Sequence, residues 1–200
     1  MGKAFTQEER MQVQEKLRRA GIRLFRDNGI SGVSIRQLTA AAGIAQGGFY
    51  TFYRDKYDFL VDITELRVRE KLAVMEKDKE RSLEDPAAFL AEQMYSEGMR
   101  LTANKAFDNE ISDTLGFYFS LDSETSGRIQ RHYRVYLEKL IEYWQKNGFT
   151  VNADVDGLLA AVRMEGIMIT NASYIDSAYM SKMYRAFCNC VVGEFMTVGR

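Results

Sequence analysis

One stretch constrains this chain more than any other: Ser34 to Lys56, SIRQLTAAAGIAQGGFYTFYRDK, reads as two short helices joined by a glycine turn. Ser34 has the hydroxyl to cap the first of them, and Ile35, Leu38 and Ala42 recur at one-turn spacing, so one face is apolar while Arg36 and Gln37 lie on the other. Gly43 falls where a helix ends in a left-handed residue that only glycine adopts without strain. Ile44 is the expected buried hinge, and the second helix is expected over Ala45 to Tyr53. Gly47 and Gly48 near its start each cost about 1 kcal/mol relative to alanine in a helix, so something other than helix stability favours them. Close approach of the backbone to a bulky partner is one such reason, and the free N–H groups and positive dipole end of a helix start suit a phosphate. Helix, glycine turn and second helix is also the geometry that lays a recognition helix in a DNA major groove.

Extended back to Ile22 and on to Leu60, the segment resembles the DNA-binding domain of the TetR (tetracycline-repressor) family. The likeness is carried by Leu24-Phe25, Gly29, Ser34, Ala42-Gly43-Ile44, Gly47, Tyr50 and Lys56, over about a quarter of the chain. It implies a homodimeric, all-helical transcriptional regulator with a variable C-terminal ligand-binding domain, and repression as the usual sign of control.

The DNA-facing residues follow partly from helix geometry. Tyr50 and Thr51 lie about 100° apart on the exposed side, with Gln46 one turn earlier. Gln46 suits adenine, and Thr51 suits a base edge or a thymine methyl. The resemblance adds a phosphate contact from the Tyr50 hydroxyl and a backbone-contacting Lys56; Ser34, Arg36 and the Gly47 backbone complete the candidate set. Phe49 and Tyr53 are read as core. Phe52 departs from the family, which more often has a polar-tipped ring there, and Tyr53 stands where the family usually has phenylalanine, so its hydroxyl needs a partner.

Charge agrees with a polyanion meeting one end only. Residues 1–60 carry a balance of +4 and the remainder a balance of −5, within an overall −1. No apolar run approaches the roughly 20 residues of a membrane span, and the charged start MGKAFTQEER lacks a signal core, so a cytoplasmic protein is expected. Cys188 and Cys190 point in different directions on a helix, which disfavours a disulfide, and two thiols alone make a poor metal site; no metal or cofactor is expected.

The first helix is expected from about Thr6 to Asn28, with Val13, Leu17, Ala20, Leu24 and Phe25 as its buried stripe. With a single proline and few strand-like alternations, the whole chain reads as all-α: a three-helix helix-turn-helix domain over 1–54 and a helical bundle over 55–200, about nine helices altogether. Asp55 caps a long fourth helix reaching about Arg81, and Asp85-Pro86 starts a fifth that runs to about Ala103. Further helices are expected over Ile111 to Ser120, Ser126 to Asn147, Ala153 to Ile175 and Ala178 to Met196.

Helical bundles hold ligands in mostly apolar cavities between helices. Met94, Tyr95, Met99, Phe117, Tyr118, Tyr133, Met164 and Met168 are the candidate lining of an effector pocket for a small, largely apolar or aromatic molecule. His132, the only histidine, is read as a surface residue. In the last two helices Leu158, Val162, Gly166, Tyr184, Phe187, Val191 and Phe195 are the candidate dimer contacts. Two heads at roughly 34 Å separation read a near-palindromic operator. An enzyme is not expected, for no nucleophile, base or metal cluster is present. The rival reading is a helical protein-interaction adaptor that binds no DNA.

Overall fold

The computed structural model describes residues 6–103 and 123–200. The expected helix over Ile111 to Ser120, with Phe117 and Tyr118, lies outside the described residues. The chain divides into two compact units, 1–67 and 68–200.

In the first unit, α1 (Gln7–Asn28) opens with Thr6, whose side chain accepts from Glu9 while Glu9 reaches back to the Thr6 amide. Ser34 and Gln37 form the same reciprocal box at the start of α2 (Ile35–Ala42), and Gly43 closes it in the left-handed region at φ 70°. The next helix is shorter than expected: α3 is the single turn Gln46–Phe49. Beyond it the chain continues in tight i to i+3 turns, Thr51 N–H to Gly48 carbonyl at 3.3 Å and Phe52 N–H to Phe49 carbonyl at 2.9 Å. These turns still bury Phe49 and Tyr53, which is why the apolar spacing imitates a longer helix.

A long helix, α4 (Lys56–Lys77), crosses the division between the units. The boundary therefore falls later than the expected Arg54, because the first turns of α4 belong to the N-terminal core. Phe59 lies against Gly21 so closely that a Cβ there would stand 2.6 Å from its ring. Phe25, Phe49 and Tyr53 surround Phe59 with centroid separations of 4.9 to 6.0 Å. Tilted and edge-on aromatic packing of this kind adds to the burial term.

In the second unit, the C-terminal part of α4 ends at Lys77 and a 3-10 turn covers Lys79–Leu83. Ser82 is fully buried there and accepts from Trp144 Nε1 at 2.7 Å. Asp85 caps α5 (Pro86–Ala103) by accepting from the Ala88 amide at 2.9 Å. Then come α6 (Ser123–Lys146), α7 (Val155–Thr170) and α8 (Ser177–Phe195). Their core is continuous over Leu90, Met94, Ile129, Leu140, Trp144, Leu158, Tyr184 and Val192. Two four-residue strands escape the helical reading: β1 (Thr150–Ala153) pairs antiparallel with β2 (Met196–Gly199), Thr150 opposite Gly199. They tie the end of α8 to the start of α7 without altering the all-α class. Among the described residues, no helix is long and apolar enough to cross a membrane.

Candidate DNA-binding surface and ligand cavity

The surface around α3 is built from residues that the fold does not use. Gln46, Gly47, Tyr50 and Thr51 are exposed, Tyr50 to 56%. The Tyr50 ring rests edge-on against Phe49 at 5.6 Å, which fixes it to a buried anchor with its ring still largely in solvent. A Cβ placed on Gly47 would meet nothing within 4 Å, whereas one on Gly48 would touch Ile44 at 3.7 Å. Gly47 has a negative φ, so neither crowding nor backbone conformation within the chain demands glycine there. One turn of helix is too short for a macrodipole, so the expected dipole attraction for a phosphate does not carry over to α3.

The remaining candidates divide. Arg36 is exposed on α2. Ser34 is exposed too, but its hydroxyl already donates to Gln37 Oε1 at 2.7 Å and accepts from the Gln37 amide. Lys56 is half-buried and its ammonium donates to the Ile30 carbonyl. It is therefore not simply outward as expected: it braces the turn before α2.

Two supports of this surface have no local sequence signal. Arg10 on α1 donates to the Thr51 carbonyl at 3.3 Å, and its guanidinium lies over the Phe52 ring at 5.1 Å. That contact gives the Phe52 ring a partner inside the chain. Asp62 on α4 takes both Arg18 N–H groups, at 2.7 and 2.6 Å, and the Tyr53 hydroxyl at 2.6 Å. The partner that Tyr53 needs is thus nine residues along the chain. Burial first, then the bond to Asp62, raises the Tyr53 pKa; the same carboxylate raises that of Arg18 against the opposing effect of burial.

In the second unit, a cavity of about 40 Å³ is lined by residues of α4, α5, α6 and α7 that include Lys71, Met94, Tyr133, Tyr136 and Glu165. That volume holds a few waters, well below the roughly 300 Å³ at which ligand pockets begin. Of the expected lining, Met94 and Tyr133 are present. Tyr95 is held elsewhere, its hydroxyl hydrogen-bonded with Ser181 at 2.8 Å and its ring under Arg185. Met99 and Met168 pack against the core without lining the cavity, and Met164 is 50% exposed.

The polar end of the cavity is a charge cluster. Lys71 sits 3.6 Å from Glu97, which Arg100 grips through two hydrogen bonds at 3.0 and 2.9 Å, and the Lys71 ammonium lies 5.5 Å from the Tyr133 ring centre. Glu165 is buried, with Oε1 accepting from the Tyr184 hydroxyl at 2.6 Å. Burial pushes the Glu165 carboxyl above the usual range, against the pull of Lys71 and Tyr184. Burial acts the same way on Glu97, but Arg100 and Lys71 outweigh it and hold that carboxyl below the usual range.

The expected dimer contacts fall into two groups. Leu158 and Tyr184 are buried inside the subunit, and Val162 lines the cavity. Phe187, Val191 and Phe195 pack partly against the same core, and Gly166 is half-buried. The widest apolar stripe of α8 is the one the subunit uses for itself. The large apolar side chains left outside are Met164 and Ile167 on α7, Tyr174 and Ile175 between the helices, and Tyr179 and Met183 on α8.

Residues 17–63 match the family described as bacterial regulatory proteins, tetR family. The HTH-type transcriptional regulator AcrR of Shigella flexneri is 31% identical over 61 residues, 30% of this chain and 28% of that protein. The uncharacterized HTH-type transcriptional regulator YwcC of Bacillus subtilis (strain 168) is 33% identical over 85 residues, 38% of each. The chain thus spans about a third of the length of these curated relatives. Among solved structures, a TetR transcriptional regulator from Rhodococcus sp. RHA1 is similar over 94% of this chain and 99% of its own, with 14% identity and a TM-score of 0.70. RolR in complex with resorcinol is similar over 95% and 90%, with 18% identity and a TM-score of 0.63. At these identities the likeness to both structures is one of fold.

Proposed function

We propose, from the match of residues 17–63 to the tetR family of bacterial regulatory proteins, that the chain is a ligand-responsive repressor that binds a near-palindromic operator as a homodimer. The observation that carries this reading is Gly47: an exposed glycine with open space around its missing side chain, beside the exposed Gln46, Tyr50 and Thr51. A residue that costs helix stability and serves no contact inside the chain fits a surface that a bulky partner approaches closely. Gln46 and Thr51 read base edges, Tyr50 and Arg36 take phosphates, and the Gly47 backbone lies against the duplex. Ser34 fixes the start of α2 through its reciprocal box with Gln37, and Lys56 braces the turn before α2 through the Ile30 carbonyl, so both hold the surface in place.

The dimer forms through the outward apolar face of Met164 and Ile167 on α7 with Tyr179 and Met183 on α8. Exposed apolar side chains gathered on one pair of helices favour a protein partner over solvent. The effector is a small, largely apolar or aromatic molecule that enlarges the cavity between α4, α5, α6 and α7, as resorcinol binding by RolR supports. It shifts the heads between two spacings only by its different affinity for the two arrangements.

The test is a gel shift on DNA from the chain's own promoter region across 50 to 200 mM salt. A dimer that neutralises about six phosphates loses about a thousandfold in affinity over that range, and Tyr50→Ala weakens binding while the thermal midpoint stays at the wild-type value. An adaptor would release no counterions from a specific site, so a salt-independent or absent shift refutes the reading.

A further inference from the structure

A groove of about 380 Å³ runs along the outer side of α4 and α6, within the size range of small-molecule sites. Its floor is apolar, with Leu72, Ala73, Val135 and Tyr136, and its rim carries Arg69, Arg131 and Lys139 together with His132. The one carboxylate in it, Glu76, is taken by Lys79 at 2.6 Å. Arg69, Arg131 and Lys139 have no ion-pair partner among the described residues. This is not the habit of α6 as a whole, since Arg134 pairs with both Asp156 and Glu138, and Lys146 pairs with Glu142. Three cations without counter-charges therefore face one concave apolar surface.

A second observation connects the groove with the interior. Leu72 and Tyr136 line both the groove and the inner cavity. The Tyr136 hydroxyl is buried and has no hydrogen-bond partner among the described residues. A buried hydroxyl left unsatisfied costs stability, and a bound molecule with an acceptor atom would complete it.

We propose that the groove between α4 and α6 binds an organic anion with an apolar body, its negative group held by Arg69, Arg131 and Lys139 and its apolar part reaching past Leu72 and Tyr136 toward the inner cavity. This rests on the effector reading above and gives the effector its charge. A duplex or an acidic peptide would use the rim but leave the apolar floor uncovered, whereas an amphipathic anion matches both at once. The acceptor for the Tyr136 hydroxyl lies where the polar head joins the apolar part.

The experiment titrates the full-length chain with four probes of equal chain length, decanoate, decyl phosphate, decanol and decyltrimethylammonium, by calorimetry and by the fluorescence of the buried Trp144. Decanoate or decyl phosphate is expected to bind at least about tenfold more tightly than decanol, and the better of the two tells carboxylate from phosphate recognition. Arg131→Gln with Lys139→Gln should lose about tenfold for the anion and nothing for decanol, and Tyr136→Phe should weaken the anion with no drop in thermal midpoint. Decanol binding as tightly as the anions would overturn the charge assignment and leave the cavity reading standing. Tightest binding of the ammonium probe, or wild-type anion affinity in the double variant, would also overturn it. If none of the four binds, the inference falls, whereas the regulator reading is decided separately by the salt-dependent gel shift.

Discussion

Replacing Gly47 by alanine separates the needs of the fold from those of the partner. The added methyl meets no atom within 4 Å, and the residue has a negative φ, so the folded chain accepts it without strain. Alanine also narrows the unfolded ensemble and has the better helix propensity, so Gly47→Ala should stabilise the chain by about 0.5 to 1 kcal/mol. Against a duplex seated on the backbone the same methyl is an overpacking substitution, which costs about 1 to 3 kcal/mol for each head, or roughly 30-fold or more in the operator affinity of a dimer with two heads. Gly48→Ala is the internal control, since its methyl would point at Ile44 at an ordinary 3.7 Å. It should raise stability similarly and leave the operator affinity within about twofold of wild type. Urea unfolding and fluorescence anisotropy with labelled operator measure the two quantities. A Gly47→Ala protein that binds DNA as well as wild type, or a Gly48→Ala protein that loses as much, refutes the proposed surface.

Other consequences follow from single contacts. Asp62→Ala leaves the Arg18 guanidinium and the Tyr53 hydroxyl without their acceptor and should cost about 3 to 5 kcal/mol, whereas Tyr53→Phe removes one bond and should cost about 1 to 2 kcal/mol; urea midpoints read both. Glu165 has a raised folded-state pKa, so its contribution to stability is full below the unfolded value and is lost as the pH rises through the folded one. Glu165→Gln should therefore gain thermal midpoint over wild type as the pH rises above the ordinary carboxyl range, read by thermal scans at a series of pH values. Met183→Glu puts a charge on the outward apolar face, and sedimentation should find a single-chain species whose operator affinity has fallen by at least about a hundredfold.

How much of this was legible in the sequence depends on how far apart the interacting residues lie. The ends of α1, α2 and α5 were readable because Thr6, Ser34, Gly43 and Asp85 act on backbone groups within a few residues of themselves. The length of α3 was not, since Phe49 and Tyr53 keep an apolar spacing through turns that are not helical. The β1–β2 pair has no local signal because its register joins Val151 to Val198 across the whole of α7 and α8. Gln46, Tyr50 and Thr51 were readable as an exposed set from periodicity, but the supports from Arg10 and Asp62 depend on contacts 41 and 44 residues away. Leu158 and Tyr184 could not be told from outward contacts by their spacing, because apolarity picks the stripe with the most to bury and the subunit itself buries these two.

The two units are finished to different degrees, and that difference says where a ligand acts. In the N-terminal unit Asp62 is gripped by three donors, and Phe25, Phe49, Tyr53 and Phe59 fill the space between the helices. No cheap second arrangement is available to such a core, because any rotation of α3 breaks a charge-assisted bond and an aromatic contact together. The C-terminal unit instead retains a small cavity, a Tyr136 hydroxyl without a partner among the described residues, and a Lys71 ammonium that shares Glu97 with Arg100. Each of these is free energy that a bound molecule recovers and that the empty protein forgoes. A ligand shifts an equilibrium only by binding its two states unequally, so the equilibrium it shifts must involve the helices around that cavity, chiefly α4 and α6. On the proposed reading, the N-terminal head would act as a preformed body, and control would originate in the helices around the cavity.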